Sequence, residues 1–225
     1  MIKTIIFDLD DTLIEYASIG YRIHTQAARK LGLRLPREDE FFSMLGLPWD
    51  VMIRDIWPEL KELDSFKQAC ADIRHSWKRC QIPGASQTLK KLKQTGFYLG
   101  ILTSRTRKTA EHHMKESGID AAHFEFVHTV EDVQAHKPDP LAFSAAVKIL
   151  EGRGIGREQI LYVGDSRVDA EAARKAGIGF LGVCTGCLGC REFEQMKHEC
   201  VDSVKDVPAY VAGRNRLQGR RTTAR

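Results

Sequence analysis

The chain has 225 residues, of which 43% are hydrophobic and 28% are charged, and its formal net charge is +4. These values describe an ordinary globular protein, long enough for one sizeable core plus a smaller inserted domain. No stretch approaches the roughly 18 apolar residues of a membrane-spanning helix, and the N-terminal apolar run is too short for a signal peptide. We therefore expect a cytoplasmic protein with no membrane partner, whose six cysteines are mostly reduced thiols.

Much of the positive charge falls in residues 214–225, where arginines cluster. We predict that this segment is a basic C-terminal tail, solvated and partly frayed as chain ends usually are. Because the rest of the chain is close to neutral, nucleic-acid binding is not expected.

The predicted elements alternate between strands and helices. Residues 2–7 are apolar and rich in β-branched side chains, which predicts a buried strand ending at the polar run 8–12. Residues 15–81 have helical periodicity interrupted by glycine and proline, and we interpret them as a small helical cap domain inserted after that strand. Beyond residue 82, helices alternate with strands that are predicted at residues 97–102, 124–128, 160–163 and 178–183.

This alternation predicts an α/β fold with a Rossmann-like three-layer core, residues 1–14 and 82–213, built on a mostly parallel sheet. Ligands bind such sheets at the carboxyl ends of the strands. The polar clusters at residues 8–12, 103–104 and 165–169 each follow a predicted strand. They are therefore expected to converge at one edge of the sheet, although they are far apart in the sequence.

Acidic residues dominate two of these clusters. Asp8 and Asp10 stand two residues apart after the first strand, and Asp165 and Asp169 follow another strand. Crowded carboxylates repel one another and favour a hard divalent cation, and Mg²⁺ prefers a few carboxylates together with water and phosphate oxygens. Taken alone, Asp10 and Asp11 are equally well explained as turn or capping residues. A second acidic cluster at the same edge favours the metal site.

Two further segments carry groups suited to a phosphoryl oxygen. Thr103 and Ser104 offer a hydroxyl and a backbone N–H ahead of a predicted helix, which is typical of an anion site or of simple capping. Lys137 lies in a Lys-Pro-Asp-Pro turn whose prolines restrict the backbone. In isolation such a lysine is a solvated turn residue. Beside a metal-carboxylate site it would stabilise a phosphoryl group and its developing charge.

In this order the four segments resemble the haloacid dehalogenase superfamily, and most closely its phosphoglycolate-phosphatase-like members with a helical cap. The resemblance covers about residues 2–200. It is carried by Asp-Leu-Asp-Asp-Thr at 8–12, Thr103, Lys137-Pro138, and Gly-Asp-Ser-Arg-Val-Asp at 164–169. It implies a Mg²⁺-dependent phosphatase that acts on a small phosphorylated metabolite as a monomer or homodimer.

The resemblance also implies roles in phosphoryl transfer. Asp8 would attack phosphorus and form an aspartyl-phosphate. Asp10 would protonate the leaving alcohol and then activate water. Thr103 and the Ser104 backbone would bind the transferring phosphoryl oxygens, and Lys137 would neutralise Asp8 and the phosphoryl group.

A metal site is implied by the same resemblance. Asp8, Asp165 and the backbone carbonyl of Asp10 would hold Mg²⁺, while Asp169 would bind the metal through water or orient Lys137. Dehalogenases of the superfamily lack the second aspartate of the first motif. The presence of Asp10 therefore favours ester hydrolysis over carbon–halogen cleavage.

Substrate class stays open. Many relatives have glycine where this chain has Asp11, and aspartate also occurs there, including among nucleotidases. We expect a 2-phosphoglycolate-like substrate, with a nucleoside-monophosphate phosphatase or a pyrophosphatase as the alternatives. The cap is expected to select the substrate. A Gly-Leu-Pro turn at 46–48 is predicted to face the core, and the candidate cap contacts are Arg22, His24, Arg54 and Arg74.

The cysteines near the C-terminus support a second hypothesis about the function of the chain. Cys184, Cys187 and Cys190 are three residues apart, and Cys200 follows. Four thiols at this spacing could bind zinc or an iron–sulfur cluster. Cysteines that simply pack as small apolar residues are the favoured interpretation. A non-enzymatic metal- or redox-sensing module that uses these thiols is the alternative to an enzyme.

Overall fold

The structure is a computed structural model that describes residues 1–44, 49–74, 76–186 and 188–222. The predicted turn at 46–48, Cys187 and the last three residues of the predicted tail lie outside the described residues. The chain divides into two compact units, Met1–Ile14 with Cys80–Arg225, and Glu15–Arg79. Within the described ranges, no helix is both long enough and apolar enough to cross a membrane.

A parallel sheet forms the centre of the first unit. Its described strands are β1 Thr4–Phe7, β2 Tyr98–Leu102, β3 Phe126–His128, β4 Ile160–Gly164, β5 Gly179–Val183 and β6 Cys200–Val201. They lie in the order β3-β2-β1-β4-β5-β6, and each described pairing is parallel. The order reverses between β1 and β4, which is where open sheets of this kind bind ligands. The predicted α/β fold with a mostly parallel sheet is confirmed.

Helices connect these strands and follow the last of them. Their bounds are α1 Ala17–Lys30, α2 Glu38–Ser43, α3 Trp49–Ile56, α4 Leu63–Arg74, α5 Ala85–Gln94, α6 Arg107–Ser117, α7 Ser144–Glu151, α8 Arg167–Ala176, α9 Cys190–Gln195 and α10 Val207–Thr222. The first four belong to the second unit, and the others belong to the first unit.

Both faces of the sheet are covered, which gives the first unit three layers. Ile5 and Phe7 of β1 belong to a core cluster with side chains of α5, α6 and α10, while Ile6 belongs to a second cluster with α7 and α8. Successive strand residues point to opposite faces, so a strand covered on both sides is apolar throughout. This burial explains the unbroken apolar run before Asp8.

The second unit has a helical core of its own. Trp57, Phe41 and Phe66 are fully buried there. The rings of Trp57 and Phe66 lie 4.7 Å apart between centroids, and the Trp57 indole N–H donates to the Arg34 carbonyl at 2.8 Å. The large apolar rings therefore bury their surface while the indole keeps a hydrogen-bond partner.

Two candidate cap contacts, His24 and Arg74, line a cavity of about 410 Å³ within the second unit. Nδ1 of His24 lies 2.7 Å from the Gly20 carbonyl oxygen, and its Nε2 accepts from the Trp49 indole at 2.9 Å. Burial lowers the pKa of His24, although the Gly20 hydrogen bond acts in the opposite direction. His24 is therefore a neutral ring that supports the cavity wall.

The segment beyond residue 213 differs from the predicted tail. It continues α10 as far as Thr222, and Asn215 exchanges hydrogen bonds with the Ile2 backbone at 2.7 and 3.1 Å. Val207 and Val211 of the same helix are buried in the core. The arginine-rich composition obscured a helix whose anchoring contacts are long-range.

The cysteines also differ from the expected reduced state in one place. Cys184 and Cys190 form a disulfide with Cα atoms 5.5 Å apart. Cys70 and Cys200 are free thiols. The end of β5 and the start of α9 bring the first two sulfurs together, which sequence spacing alone does not determine.

Candidate active site

The predicted site residues meet at the carboxyl ends of the central strands. Asp8 directly follows β1, Thr103 directly follows β2, and Asp165 directly follows β4. The Asp8 N–H donates to the Val163 carbonyl at 2.8 Å, which continues the β1–β4 ladder into the site. Because β1 lies between β2 and β4, these three polar positions are neighbours in space.

Lys137 is a buried cation at this edge. Its side chain is 6% exposed, and Nζ donates to Asp8 at 2.7 Å, to Asp169 at 2.6 Å and to the Tyr162 hydroxyl at 2.9 Å. Each ammonium proton therefore has an acceptor. Burial alone would lower the pKa of Lys137, but the charges of Asp169 and Asp8 outweigh burial and raise that pKa well above its ordinary value. Lys137 is thus not a solvated turn lysine.

Asp169 is held by donors on both of its carboxylate oxygens. Oδ1 accepts from Lys137 and lies 3.0 Å from the Tyr162 hydroxyl, and Oδ2 accepts from the Ser166 N–H at 3.1 Å. Ser166 is the N-cap of α8, and its hydroxyl accepts from the Asp169 N–H, which completes a capping box. A Cβ at Gly164 would lie 2.7 Å from Asp169 Cγ, so glycine leaves the necessary space. This geometry fits the orientation of Lys137 better than direct metal binding.

Asp8 and Asp165 are the buried carboxylates that suit a cation. Burial raises the pKa of Asp8 to about 7, although Lys137 acts in the opposite direction. Burial also raises the pKa of Asp165 well above its ordinary value, and the charges of Asp169 and Asp8 add to this effect. A hard divalent cation with oxygen ligands would relieve this repulsion. The donor set therefore fits a divalent metal.

The turn after β1 is tied to the loop after β5. Asp11 has a left-handed backbone with φ 54°, which glycine adopts freely and aspartate tolerates. Its carbonyl accepts from the Thr185 hydroxyl at 2.6 Å. A Cβ at the neighbouring Gly186 would lie 1.8 Å from Asp165 Oδ2. The backbone of this loop therefore packs directly against a candidate metal ligand.

The Asp10 carboxylate faces two basic residues that the sequence motifs did not indicate. Nε of Arg105 donates to Asp10 Oδ2 at 2.5 Å, and Nδ1 of the buried His113 lies 3.7 Å from Oδ1. Burial alone would raise the pKa of Asp10, but His113 and Arg105 outweigh burial and lower it. Asp10 is therefore ionised at neutral pH. Arg105 directly follows Thr103-Ser104, so its position after the strand was sufficient to predict a place at the site. His113 lies on the buried face of α6, and no local sequence pattern indicates its role.

Thr103 and Ser104 occupy different environments. Thr103 is buried, its N–H donates to the His128 carbonyl at 3.0 Å, and its hydroxyl oxygen accepts from the Arg105 N–H at 3.2 Å. The hydroxyl keeps its own proton to donate to an anion. Ser104 is exposed, and α6 is capped by Thr106. Helix capping is therefore not the role of Thr103 or Ser104.

Comparison with known proteins assigns the fold and the motifs to a family. The family model described as haloacid dehalogenase-like hydrolase matches residues 5–183. The phosphoglycolate phosphatase of Vibrio cholerae is 31% identical in an alignment of 202 positions that covers 82% of this chain and 85% of that protein. The pyrophosphatase PpaX of Bacillus velezensis is 32% identical in an alignment of 193 positions that covers 84% of this chain and 87% of that protein.

Solved structures share the same architecture. A structure described as a predicted phosphoglycolate phosphatase from Haemophilus somnus has a TM-score of 0.76 at 24% identity, and covers 93% of this chain and 98% of its own. A hydrolase from Pseudomonas syringae has a TM-score of 0.69 at 22% identity, with coverage of 94% and 98%. These structural likenesses establish the fold.

Proposed function

The chain belongs to the haloacid dehalogenase-like hydrolases, and we propose that it is a magnesium-dependent phosphatase of small phosphomonoesters with Asp8 as its nucleophile. The observation that carries this proposal is the buried contact of 2.7 Å between Lys137 and Asp8. A nucleophilic carboxylate must approach an anionic phosphoryl group, and a fixed cation beside it lowers the electrostatic barrier. Asp10, present two residues later, favours ester hydrolysis over dehalogenation.

The first chemical step forms a bond from an Asp8 carboxylate oxygen to phosphorus as the ester oxygen leaves. In the free protein burial raises the pKa of Asp8 to about 7, so near neutrality a fraction of Asp8 carries a proton. The positive charge of Lys137 favours the ionised nucleophile. We propose that Asp8, Asp165 and the Asp10 backbone carbonyl hold Mg²⁺, which would neutralise phosphoryl charge when bound.

Asp10 is proposed to transfer the protons. In the free protein Arg105 and His113 keep its carboxylate ionised, which is the state that accepts a proton from the attacking water. The departing alcohol needs a proton, so Asp10 must take one up before that step. The water oxygen then forms a bond to phosphorus, and the Asp8–phosphorus bond breaks to release phosphate.

Thr103, Ser104 and Asp169 are assigned supporting roles. The Thr103 hydroxyl and the Ser104 backbone N–H are proposed to donate to the phosphoryl oxygens. Asp169 is proposed to keep Lys137 beside Asp8, since Lys137 donates to both carboxylates at 2.6 and 2.7 Å.

Two substrates are supported by the curated relatives. We propose 2-phosphoglycolate as the first substrate, because the Vibrio cholerae relative is named phosphoglycolate phosphatase. Pyrophosphate is the second candidate, because the Bacillus velezensis relative, which is 32% identical, is named pyrophosphatase PpaX. Nucleoside monophosphates remain the alternative prompted by Asp11.

The test is a panel of 2-phosphoglycolate, pyrophosphate and nucleoside monophosphates, assayed for released phosphate with and without Mg²⁺. Asp8→Asn should abolish turnover of every substrate, and mass spectrometry of the quenched wild type should find phosphate on Asp8. Asp120→Asn is the matched control, because this exposed side chain accepts from the Ala122 N–H and asparagine keeps that acceptor. Normal turnover by Asp8→Asn would overturn the mechanism, and absence of turnover across the panel would favour the non-enzymatic alternative.

A further inference from the structure

Three cysteine sulfurs converge at the edge of the sheet where β5 and β6 pair. The Sγ atoms of Cys184, Cys190 and Cys200 all lie within 4.8 Å of one another. Cys184 and Cys190 are joined as a disulfide, and Cys200 is a free thiol. We propose that these three residues form a thiolate site for a soft divalent cation of the Zn²⁺ class when the disulfide is reduced.

The backbone holds the three residues in place independently of the disulfide. Cys184 follows β5 and its N–H donates to the Val201 carbonyl at 3.0 Å. Cys200 begins β6 and pairs with Gly182 of β5. Cys190 is the first residue of α9. Because paired strands and a helix set these positions, the sulfurs stay close together after the covalent bond opens.

The third sulfur distinguishes a ligand cluster from a simple disulfide. A disulfide needs two sulfurs, and it gives no reason for Cys200 to lie beside both. Around a tetrahedral zinc with bonds of about 2.3 Å, thiolate sulfurs are separated by about 3.8 Å. The distances from Cys200 Sγ to the other two sulfurs are no more than 4.8 Å, close to that spacing, and the Cys184–Cys190 side widens when the disulfide bond is reduced. Thiolates also select zinc over the oxygen-seeking Mg²⁺.

Oxygen atoms with negative or partial negative charge lie beside the sulfurs. Asp202 Oδ1 lies 3.8 Å from Cys190 Sγ, and Cys200 Sγ lies 3.7 Å from the Cys190 carbonyl oxygen. This arrangement favours a bound cation.

The chemistry balances with a dithiol reductant. The dithiol transfers two electrons and two protons to the Cys184–Cys190 disulfide, which becomes two thiols while the reductant becomes a cyclic disulfide. Three thiols then bind one divalent cation and release up to three protons. The metal closes the same loop that the disulfide closes, and this loop holds Thr185 against Asp11. Either state therefore keeps the loop beside the active site.

The experiment measures metal binding by reduced, metal-free protein in the Asp8→Asn background, so that the carboxylate site is impaired. Co²⁺ is the probe, because thiolate ligation produces a ligand-to-metal charge-transfer band, and Zn²⁺ is then titrated in competition. We expect one equivalent of tightly bound metal and the charge-transfer band. Cys200→Ser should remove much of the band and weaken Zn²⁺ binding more than about 100-fold, since even indirect partners of metal ligands are worth about 10- to 100-fold.

Cys80→Ser is the matched control, because Cys80 is exposed and does not belong to the three-sulfur cluster. It should bind both metals like the parent protein. The proposal is overturned if reduced protein shows no charge-transfer band, or if Cys200→Ser binds Zn²⁺ as tightly as the parent. Cys190→Ser, monitored by circular dichroism, provides a second ligand variant if Cys200→Ser fails to fold. None of these readouts depends on phosphatase turnover, so failure of the site and failure of the proposed function are separable.

Discussion

Substitution of Lys137 by methionine would leave Asp8 and Asp169 buried together without their shared cation. Methionine fills a similar volume, so the main loss is electrostatic. Removal of one partner from a buried ion pair costs about 3–5 kcal/mol, because the remaining charge is uncompensated. Two carboxylates lose their partner here, with contacts of 2.7 and 2.6 Å. We expect the free energy of unfolding at pH 8 without Mg²⁺ to fall by about 3–5 kcal/mol.

The loss of stability caused by Lys137→Met should be smaller at low pH than at high pH. The pKa of Asp8 in the folded protein is about 7, above its ordinary 3.8, and Lys137 acts to lower it. Without Lys137 this pKa rises further. A raised carboxyl pKa favours the folded state at low pH, and the corresponding stability is lost as the pH rises through the folded-state value. Lys137→Met should therefore cost less at pH 5 than at pH 8.

Urea unfolding at both pH values is the assay. Lys148→Met, on an exposed position of α7, is the control and should change stability by no more than about 0.5 kcal/mol. Addition of Asp169→Asn to Lys137→Met should recover part of the loss at pH 8. An equal loss at both pH values, or a loss below about 1 kcal/mol at pH 8, would refute the electrostatic reasoning.

Two more outcomes follow from the site. Because the pKa of Asp8 is about 7, Mg²⁺ affinity should fall as the pH drops below 7, and calorimetry in buffers of different ionisation enthalpy should detect proton release on binding near pH 6. A pH-independent affinity between pH 6 and 8 would contradict that assignment. Gly186→Ala should weaken Mg²⁺ binding, because its Cβ would lie 1.8 Å from Asp165 Oδ2, whereas Gly213→Ala meets no atom within 4 Å and should bind Mg²⁺ normally. Equal Mg²⁺ affinities in the two variants would contradict this prediction, because the loop would then shift without weakening the metal site.

The local pattern of apolar and polar residues was sufficient to predict most strands and helices of the core. Strands buried on both faces must be apolar, and helices between them must carry an apolar face, so β1 to β5 and α5 to α8 are visible in the order of residue types. β6, with two residues, is too short to produce a periodic signal. Helix α10 was hidden by its arginines, since the residues that anchor it contact the opposite end of the chain.

The candidate active site shows the same contrast between local sequence pattern and long-range contacts. The sequence by itself determined which side chains follow the strands, because strand ends are local features, and their order identified the family. Only the tertiary structure decided which of these side chains contact one another. It placed Lys137 between Asp8 and Asp169, turned Asp10 toward Arg105 and His113, and brought Cys200 to Cys184 and Cys190. These contacts join distant segments, and the packing of helices on the sheet determines them, since no spacing along the chain encodes a distance in space.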